Sequence, residues 1–333
     1  MPGPERSRRR RGSALIVAVW TLSILSLLAV GAGYKTWLEL KLTSIELDRI
    51  KEERLVLAAV QLARQVLPKD FEKPATLKDP WADNAALFKE VRLDEGTFSV
   101  VRRGPSDDPG GTAVYGLEDE SGRLNLNTAS LSQLEALLGE DGQDAAQAII
   151  DWRQTPSDPQ ALSDIDSFYA DLPRPYPCKH AAFESVAELR LVRAITPERY
   201  RRLRPWVTVH GRRVNINTAP RAVLLALGLS SDLTDKIVAY RDSAQAGDAD
   251  PGDGVFTSAA RISQNLDATP EENAQLNAVL PQLGVTSRDF RLHLEVWPGE
   301  RPVAERRPVS YEIVLEYLTV GQWAVKQVSR AAR

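Results

Sequence analysis

The chain has 333 residues, of which 43% are hydrophobic, enough to bury more than one sizeable core. Its single cysteine, Cys178, excludes an internal disulfide, and the spacing of its three histidines argues against a zinc or copper site. The net charge is −3, but residues 1–12 carry five arginines and one glutamate, which leaves −7 on the rest and argues against bulk attraction to nucleic acid.

The first predicted element is an uncharged stretch from Ser13 to Tyr34, SALIVAVWTLSILSLLAVGAGY. As a helix it spans roughly 33 Å, enough to cross the hydrocarbon core of a bilayer. The arginines before it place residues 1–12 in the cytoplasm and the remainder across the membrane. A cleaved secretory signal is the alternative, but the stretch is long and no small-residue cleavage step followed by a loop interrupts it.

The segment after this stretch continues at helical spacing, which predicts one helix from about Ala14 to Leu67, roughly 80 Å long. Its second half is amphipathic, with Leu38, Leu42 and Ile45 on one face. We therefore expect the first half to lie in lipid and the second half to pack on a globular partner.

This arrangement, a short basic leader ending in glycine before a small residue and a helix that is first apolar and then amphipathic, resembles the type IV pilins and pseudopilins. The resemblance implies that prepilin peptidase cuts between Gly12 and Ser13 and that Ser13 is then N-methylated. Most members of that class carry glutamate at the fifth mature position, where Val17 stands here. The K component of type II secretion systems also typically lacks this glutamate.

The middle of the chain contains a duplication. The sequence RLNLNTASLSQLEALLG (123–139) returns as RVNINTAPRAVLLALG (213–228), and three later blocks follow in the same order. Each copy reads as a helix-hairpin-helix module, with Thr128 or Thr218 predicted to cap the first helix and Phe183 or Phe256 to begin a later one.

Such modules often bind DNA, and the first copy resembles competence-type DNA receptors. A membrane-anchored DNA receptor is therefore the alternative function. The two turns, however, carry Glu140, Asp141 and Asp232 where a phosphate would sit, so we expect no nucleic acid.

Alternating residues on both sides of the duplication predict strands at 96–103, 290–297 and 310–323. The predicted fold class is α+β: a long N-terminal pilin-type helix packed on a small antiparallel sheet, with a large inserted all-α domain of two helix-hairpin-helix-like repeats. The predicted segments are a leader (1–12), a transmembrane and spine helix (13–67), a first pilin-like part (68–111), the inserted domain (112–285, with repeats at about 123–203 and 213–283) and a second pilin-like part (286–333).

Three motifs, GLEDESGRLNLNTA (116–129), AFESVAELRLVRAITPERYRRL (182–203) and GRRVNINTA (211–219), resemble the K component of the type II secretion system. The resemblance implies a non-enzymatic minor pseudopilin, held by one helix in the bacterial inner membrane with its globular part in the periplasm, that moves into the pseudopilus and supports export of folded proteins. It also implies partners: components I, J and H, the major pseudopilin, prepilin peptidase and the inner-membrane assembly platform. Val17 and the bulky insertion suggest a position at the pseudopilus tip.

The sequence has no nucleophile–base pair or phosphate loop, so we expect no catalytic residues. The resemblance implies Ca²⁺ as a candidate ligand, with Glu118, Asp119 and Glu120 as candidate residues, although the ligands of the family do not map onto this sequence one by one. The other acidic clusters read as solvated loops: Asp107/Asp108, Asp164/Asp166 and Asp248/Asp250/Asp253.

Overall fold

The computed structural model describes residues 9–70, 72–102, 113–243, 254–299, 307–319 and 321–330. Helix α1 spans Arg9–Val66 without a break, which confirms the single long helix. Every described side chain of residues 14–50 is exposed, and the first buried side chain of the helix is Leu55. Glu52, one turn before Leu55, already accepts from Tyr311 of the sheet. About the last four turns of α1 therefore pack on the rest of the chain.

The sequence predicts that the face of α1 with Leu38, Leu42 and Ile45 packs on a globular partner. Within this chain that prediction is wrong. Leu38, Leu42 and Ile45 are 39%, 57% and 56% exposed, because α1 extends past the sheet that covers its final turns. This face is available to other molecules.

The helix lies against a seven-stranded sheet in which every pair of strands is antiparallel. Its strands, numbered along the whole chain, are β1 (Val91–Leu93), β2 (Gly96–Arg102), β3 (Val114–Tyr115), β4 (Glu118–Asp119), β9 (Asp289–Pro298), β10 (Val309–Thr319) and β11 (Gln322–Arg330). The main strand order is β1-β2-β9-β10-β11, with β3 beside β2 and β4 beside β9.

The prediction of one strand over 310–323 needs correction, because this stretch contains a hairpin. Strand β10 ends at Thr319, Gly321 has a φ of +68°, and β11 returns from Gln322 alongside β10. Glycine adopts a positive φ without steric cost, which allows this tight reversal.

The core between α1 and the sheet explains why the two elements associate. Leu55, Ala59 and Ala63 are fully buried on one face of α1, and the small alanines let the helix approach the strands closely. On the sheet side, the ring of Phe290 lies 4.8 Å from that of Trp81, in an edge-on arrangement that aromatic pairs favour.

The chain between β4 and β9 forms an inserted helical domain with its own core. Helix α2 (Ala85–Phe88) precedes it. The α-helices of the inserted domain are α3 (Leu131–Leu138), α4 (Gln143–Arg153), α5 (Pro159–Ala170), α6 (Pro197–Leu203), α7 (Arg221–Ala226), α8 (Ser231–Ser243), α9 (Ile262–Asn265) and α10 (Pro270–Val279). Short 3₁₀ turns lie at Glu120–Gly122, Val186–Leu191, Arg204–Trp206, Ala259–Arg261 and Leu280–Gln282.

Each of the two repeats is closed by a short parallel strand pair. In the first, β5 (Leu124–Asn125) pairs with β6 (Val207–Thr208). In the second, β7 (Val214–Asn215) pairs with β8 (Leu283–Gly284). The duplicated sequence thus folds into two equivalent units, and the predicted fold class is confirmed.

The prediction that Thr128 and Thr218 cap the helices is wrong. The N-cap of α3 is Ser130, whose side chain forms a capping box with Gln133, and α7 follows Pro220 without a side-chain cap. The threonines lie too early, because the Asn-x-Asn-Thr segment first completes a backbone turn of its own. The short helices predicted to begin at Phe183 and Phe256 are 3₁₀ turns, and each begins three residues later.

Candidate functional site

The exposed part of α1 is the first candidate functional surface. Among the described residues, α1 is the one helix long and apolar enough to cross a membrane; its most apolar window has a mean hydropathy of 2.4 and none of it is buried. The backbone of Gly12 and Ser13 lies within this helix, and the side chain of Val17 is 61% exposed. The helix has the length and composition of a membrane anchor.

The second candidate site lies on the opposite face of the sheet, where the helical domain meets the strands. Successive side chains of a strand point to opposite faces. Phe290 and Leu292 of β9 join the α1 core, whereas Arg291 and His293 point towards the helical domain. The candidate residues Glu118, Asp119 and Glu120 lie at this domain junction, at the end of β4 and the start of the following 3₁₀ turn.

Glu120 is fully buried and is held by two arginines. Arg291 donates from Nε to Oε1 over 2.6 Å and from Nη2 to Oε2 over 3.1 Å, and Arg123 donates to Oε1 over 2.9 Å. Thr208, from the strand that closes the first repeat, donates its hydroxyl to the same carboxylate. Burial alone would raise the pKa of Glu120, but the two arginines lower it overall.

Glu118 forms the second acidic centre of the junction. Arg123 donates to its carboxylate, and His293 Nε2 lies 3.0 Å from Glu118 Oε2. Burial acts to raise the pKa of Glu118, but Arg123 and His293 outweigh it and lower the pKa.

Asp119 binds to hydroxyl, amide and backbone donors and not to arginine. Ser287, Thr218 and Asn215 donate to its Oδ2 over 2.5, 2.6 and 3.1 Å, and the backbone N–H of Ser121 donates to Oδ1 over 2.8 Å. Burial raises the pKa of this carboxyl to about 6, although the four donors favour the ionised form.

These surroundings do not fit a calcium site. Calcium needs several oxygen ligands directed at one point. Here Arg123 pairs with both Glu118 and Glu120, Arg291 pairs with Glu120, and these guanidinium groups occupy the positions where a cation would bind. No group of three or more carboxylate, histidine or cysteine side chains arranged to hold a metal occurs in the part of the chain that the structure describes. Of the other acidic clusters, Asp166 pairs with His180, whereas residues 107–108 and 248–253 lie outside the described ranges.

The junction fixes how the helical domain sits on the sheet. Asn215, in the second repeat, donates to the backbone oxygen of Ala75 over 2.9 Å as well as to Asp119 and Ser287. Arg204, after α6, pairs with Glu312 of β10. A buried network of this kind positions two bodies, and its groups are already paired with one another. The sequence pointed to the acids but not to Arg291, Thr208 or Ser287, which lie far along the chain.

The Asn-x-Asn signature of each repeat also has a structural role. The side chain of Asn127 accepts from the backbone N–H of Phe183 over 2.7 Å and donates to its oxygen over 3.0 Å. Asn217 makes the same two bonds to Phe256, both 2.9 Å long. Each asparagine thus joins the start of its repeat to the segment that follows the helical hairpin.

Polar groups at both hairpin turns are bound to other parts of the fold. In the first turn, Arg199 binds to Asp144 and to the backbone oxygen of Asp141. In the second turn, the N–H of Ser230 donates to Gln275 over 2.9 Å. Arg199 and the N–H of Ser230 are therefore already engaged within the fold, and the DNA-receptor alternative is not favoured.

The long helix is exposed and apolar at its start and lies against an antiparallel sheet at its end, and a helical domain is inserted between two strands of that sheet. This combination defines the minor pseudopilin class. Residues 114–212 match the family model described as "Type II secretion system (T2SS), protein K". The type II secretion system protein K of Aeromonas hydrophila is 30% identical over 243 residues, which cover 67% of this chain and 72% of the relative. The chain belongs to the type II secretion system protein K family.

Further relatives agree with this assignment. Type II secretion system protein K of Pseudomonas aeruginosa is 26% identical over 246 residues, covering 66% of this chain and 68% of that protein. The corresponding protein of Pectobacterium carotovorum is 27% identical over 233 residues, 63% of this chain and 67% of that one. The chain is therefore a minor pseudopilin of the type II secretion system, a structural subunit in protein transport.

The fold has a counterpart among solved structures. A chain in the GspK-GspI-GspJ complex from enterotoxigenic Escherichia coli superposes with a TM-score of 0.65 at 17% sequence identity. The match covers 87% of this chain and 99% of that chain. At this identity the likeness concerns the architecture alone.

Proposed function

We propose that this minor pseudopilin is cut by prepilin peptidase between Gly12 and Ser13, is N-methylated at Ser13, and enters the tip of the pseudopilus through α1. There it supports the export of folded proteins across the outer membrane. Its role is structural, without catalytic chemistry and without nucleic acid.

The observation that carries this proposal is the two-part character of α1. Residues 14–50 are apolar over most of their length and every described side chain there is exposed, whereas the same helix buries one face from Leu55 onwards. An apolar surface of this length does not stay in water: it requires either lipid or a bundle of similar helices. A subunit that is stored in the inner membrane and then assembled into a fibre uses both surroundings.

The leader supports the orientation of the anchor. Residues 1–12 carry a net charge of +4 and precede the apolar stretch. Positive residues are retained on the cytoplasmic side, so the globular part is proposed to lie in the periplasm.

Two features support a position at the tip. Val17 leaves the fifth mature position without the carboxylate that could pair with the amine of a subunit above it. The inserted helical domain adds bulk beside the sheet, and this is easiest to accommodate where no subunit stacks above.

The proposed partners are the minor pseudopilins I, J and H, the major pseudopilin, prepilin peptidase and the inner-membrane assembly platform. The complex that contains the structural counterpart is named for GspK, GspI and GspJ. Contacts of this chain with components I and J are the first to examine, because the exposed face of α1 has the apolar composition that helix bundling needs.

The test is a processing assay on Gly12→Asp in cells that produce prepilin peptidase. We expect the variant to keep its leader, migrate more slowly than the wild type on gels and fail to support secretion. Gly3→Asp is the matched control, since it adds the same charge to the same leader away from the cut, and it should be processed normally. Equal mobility of wild type and Gly12→Asp, with wild-type secretion by both, would contradict the proposal.

A further inference from the structure

A large cleft lies between the helical domain and the face of the sheet opposite α1. Its volume is about 1280 Å³, and it is lined by β9 and β10 on one side and by α7, α8 and the Arg204–Trp206 turn on the other. Small-molecule pockets measure roughly 300–1,000 Å³, so this cleft is wide enough for an extended peptide.

The cleft is rich in arginine, although the protein as a whole is acidic. Eight arginines and five carboxylates line it, whereas the whole chain carries a net charge of −3. Several of the arginines are neutralised within the wall: Arg123 and Arg291 pair with Glu118 and Glu120, and Arg204 pairs with Glu312.

Three of the lining arginines have no carboxylate at ion-pair distance among the described residues: Arg102, Arg190 and Arg241. Arg190 lies over the ring of Tyr200, 4.5 Å from its centre. Arg241 donates to the backbone oxygens of Ile216 and Ala219, which holds it in place, and Asp242 acts on its charge only from beyond ion-pair distance.

Arg102, at the end of β2, has the least satisfied of these side chains. It is half-buried, and its Nε–H is buried without a hydrogen-bond partner within the described part of the chain. Burial lowers the pKa of its guanidinium, and the charges of Glu118 and Asp83 oppose this only from a distance. A cation taken out of water without a partner is costly, and a carboxylate supplied from outside would remove that cost.

Apolar side chains lie beside these cations. Trp206, Leu225 and Val238 line the helical-domain side of the cleft, and Leu77 and Val101 line the sheet side. Leu77 is 41% exposed, so the apolar lining is open to solvent. A ligand that matches both features has carboxylates alternating with apolar side chains.

We propose that this cleft binds an extended acidic segment of a neighbouring pseudopilin, whose carboxylates pair with Arg102 and Arg190 and whose apolar side chains lie on Trp206 and Leu225. A few partly solvated ion pairs give weak binding on their own. They become effective for a chain held beside this one by bundled helices, because tethering raises the effective concentration. The inference rests on the proposed function, since it takes its partner from the same fibre.

The first test measures binding to the full chain in detergent micelles. The probe is a fluorescein-labelled hexapeptide of alternating aspartate and leucine, and its counterpart with lysine in place of aspartate reports non-specific binding. We expect the aspartate peptide to bind, to weaken as salt is added and to bind about tenfold more weakly to Arg102→Gln. Arg190→Gln, at an exposed position, should also weaken binding.

Arg92→Gln is the matched control, because Arg92 is an exposed arginine on the neighbouring strand β1 outside the cleft. It should bind the aspartate peptide as the wild type does. Equal binding of the aspartate and lysine peptides, or equal affinities of the wild type and both cleft variants, would overturn the proposal.

The second test identifies the partner in cells that contain the complete secretion system. The photocrosslinking residue benzoylphenylalanine replaces Leu77, which lines the cleft. In the control it replaces Leu93, which lies on β1 outside the cleft and is similarly exposed, at 42%. We expect a light-dependent crosslink to another pseudopilin from position 77 and none from position 93. A crosslink from position 77 only to a secreted protein, or to none, overturns the inference. Normal loss of the leader in the same cells shows that the proposed processing still stands.

Discussion

Replacing Glu120 by glutamine should destabilise the junction between the helical domain and the sheet. The change keeps the shape of the side chain but removes a fully buried charge that Arg123 and Arg291 share. Removing one partner of a buried ion pair costs about 3–5 kcal/mol. We expect about 3 kcal/mol, the lower end, because Arg123 keeps Glu118 and Arg291 keeps Glu312 at 3.5 Å.

The measurement is thermal unfolding of the full chain in detergent, followed by near-ultraviolet circular dichroism. In a domain of this size each kcal/mol lowers Tm by roughly 2–4 °C, so Glu120→Gln should lower it by roughly 6–12 °C. Asp235→Asn is the control: it also neutralises an arginine-bound carboxylate, but one that is 56% exposed, and it should leave Tm unchanged. A loss no larger than that of the control would refute the view that the buried charges hold the two bodies together.

Three further variants test other parts of the molecule. Burial raises the pKa of Asp119 to about 6, above ~3.9 in an unfolded chain, so the folded protein binds the proton of this carboxyl more tightly than the unfolded chain does. The free energy of unfolding should therefore fall as pH rises from about 4 to about 6. Asp119→Asn should lose this pH dependence when Tm is measured across that range. Leu55→Ala should cost about 2–5 kcal/mol in urea unfolding, whereas Leu57→Ala, at a position 62% exposed on the same helix, should cost little; equal losses would contradict the described packing face. Asn217→Ala should cost about 1–3 kcal/mol because it leaves the N–H and C=O of Phe256 buried without partners, and hydrogen exchange at that amide as slow as in the wild type would argue against this role.

The parts of the fold that could be predicted are those that depend on patterns among residues close together in the sequence. The uninterrupted apolar stretch and the helical spacing after it are enough to predict α1, because helix formation depends on residues three and four apart. The strands β2, β9 and β10 were predicted from the alternation of apolar and polar residues, and the repeats from duplicated sequence segments. The predicted domain boundaries and the processing site stay predictions.

The capping errors show where local patterns fail. Threonine often caps the start of a helix, but the hydroxyl of Thr218 donates to Asp119, which is ninety-nine residues away in sequence. The choice between capping a helix and joining the junction depends on which donor or acceptor the tertiary fold brings near. No window of sequence around Thr218 contains that information.

The sequence by itself determined the membrane-length helix, the duplicated helical modules and the strands around them, because each arises from interactions between near neighbours. Only the tertiary structure decided that one face of α1 is covered from Leu55 onwards, and that Glu118, Asp119 and Glu120 face arginines and hydroxyl donors. It also decided that unpaired arginines converge on one cleft. The physical reason is that burial and the pairing of charges depend on distances in space between residues that the chain keeps far apart.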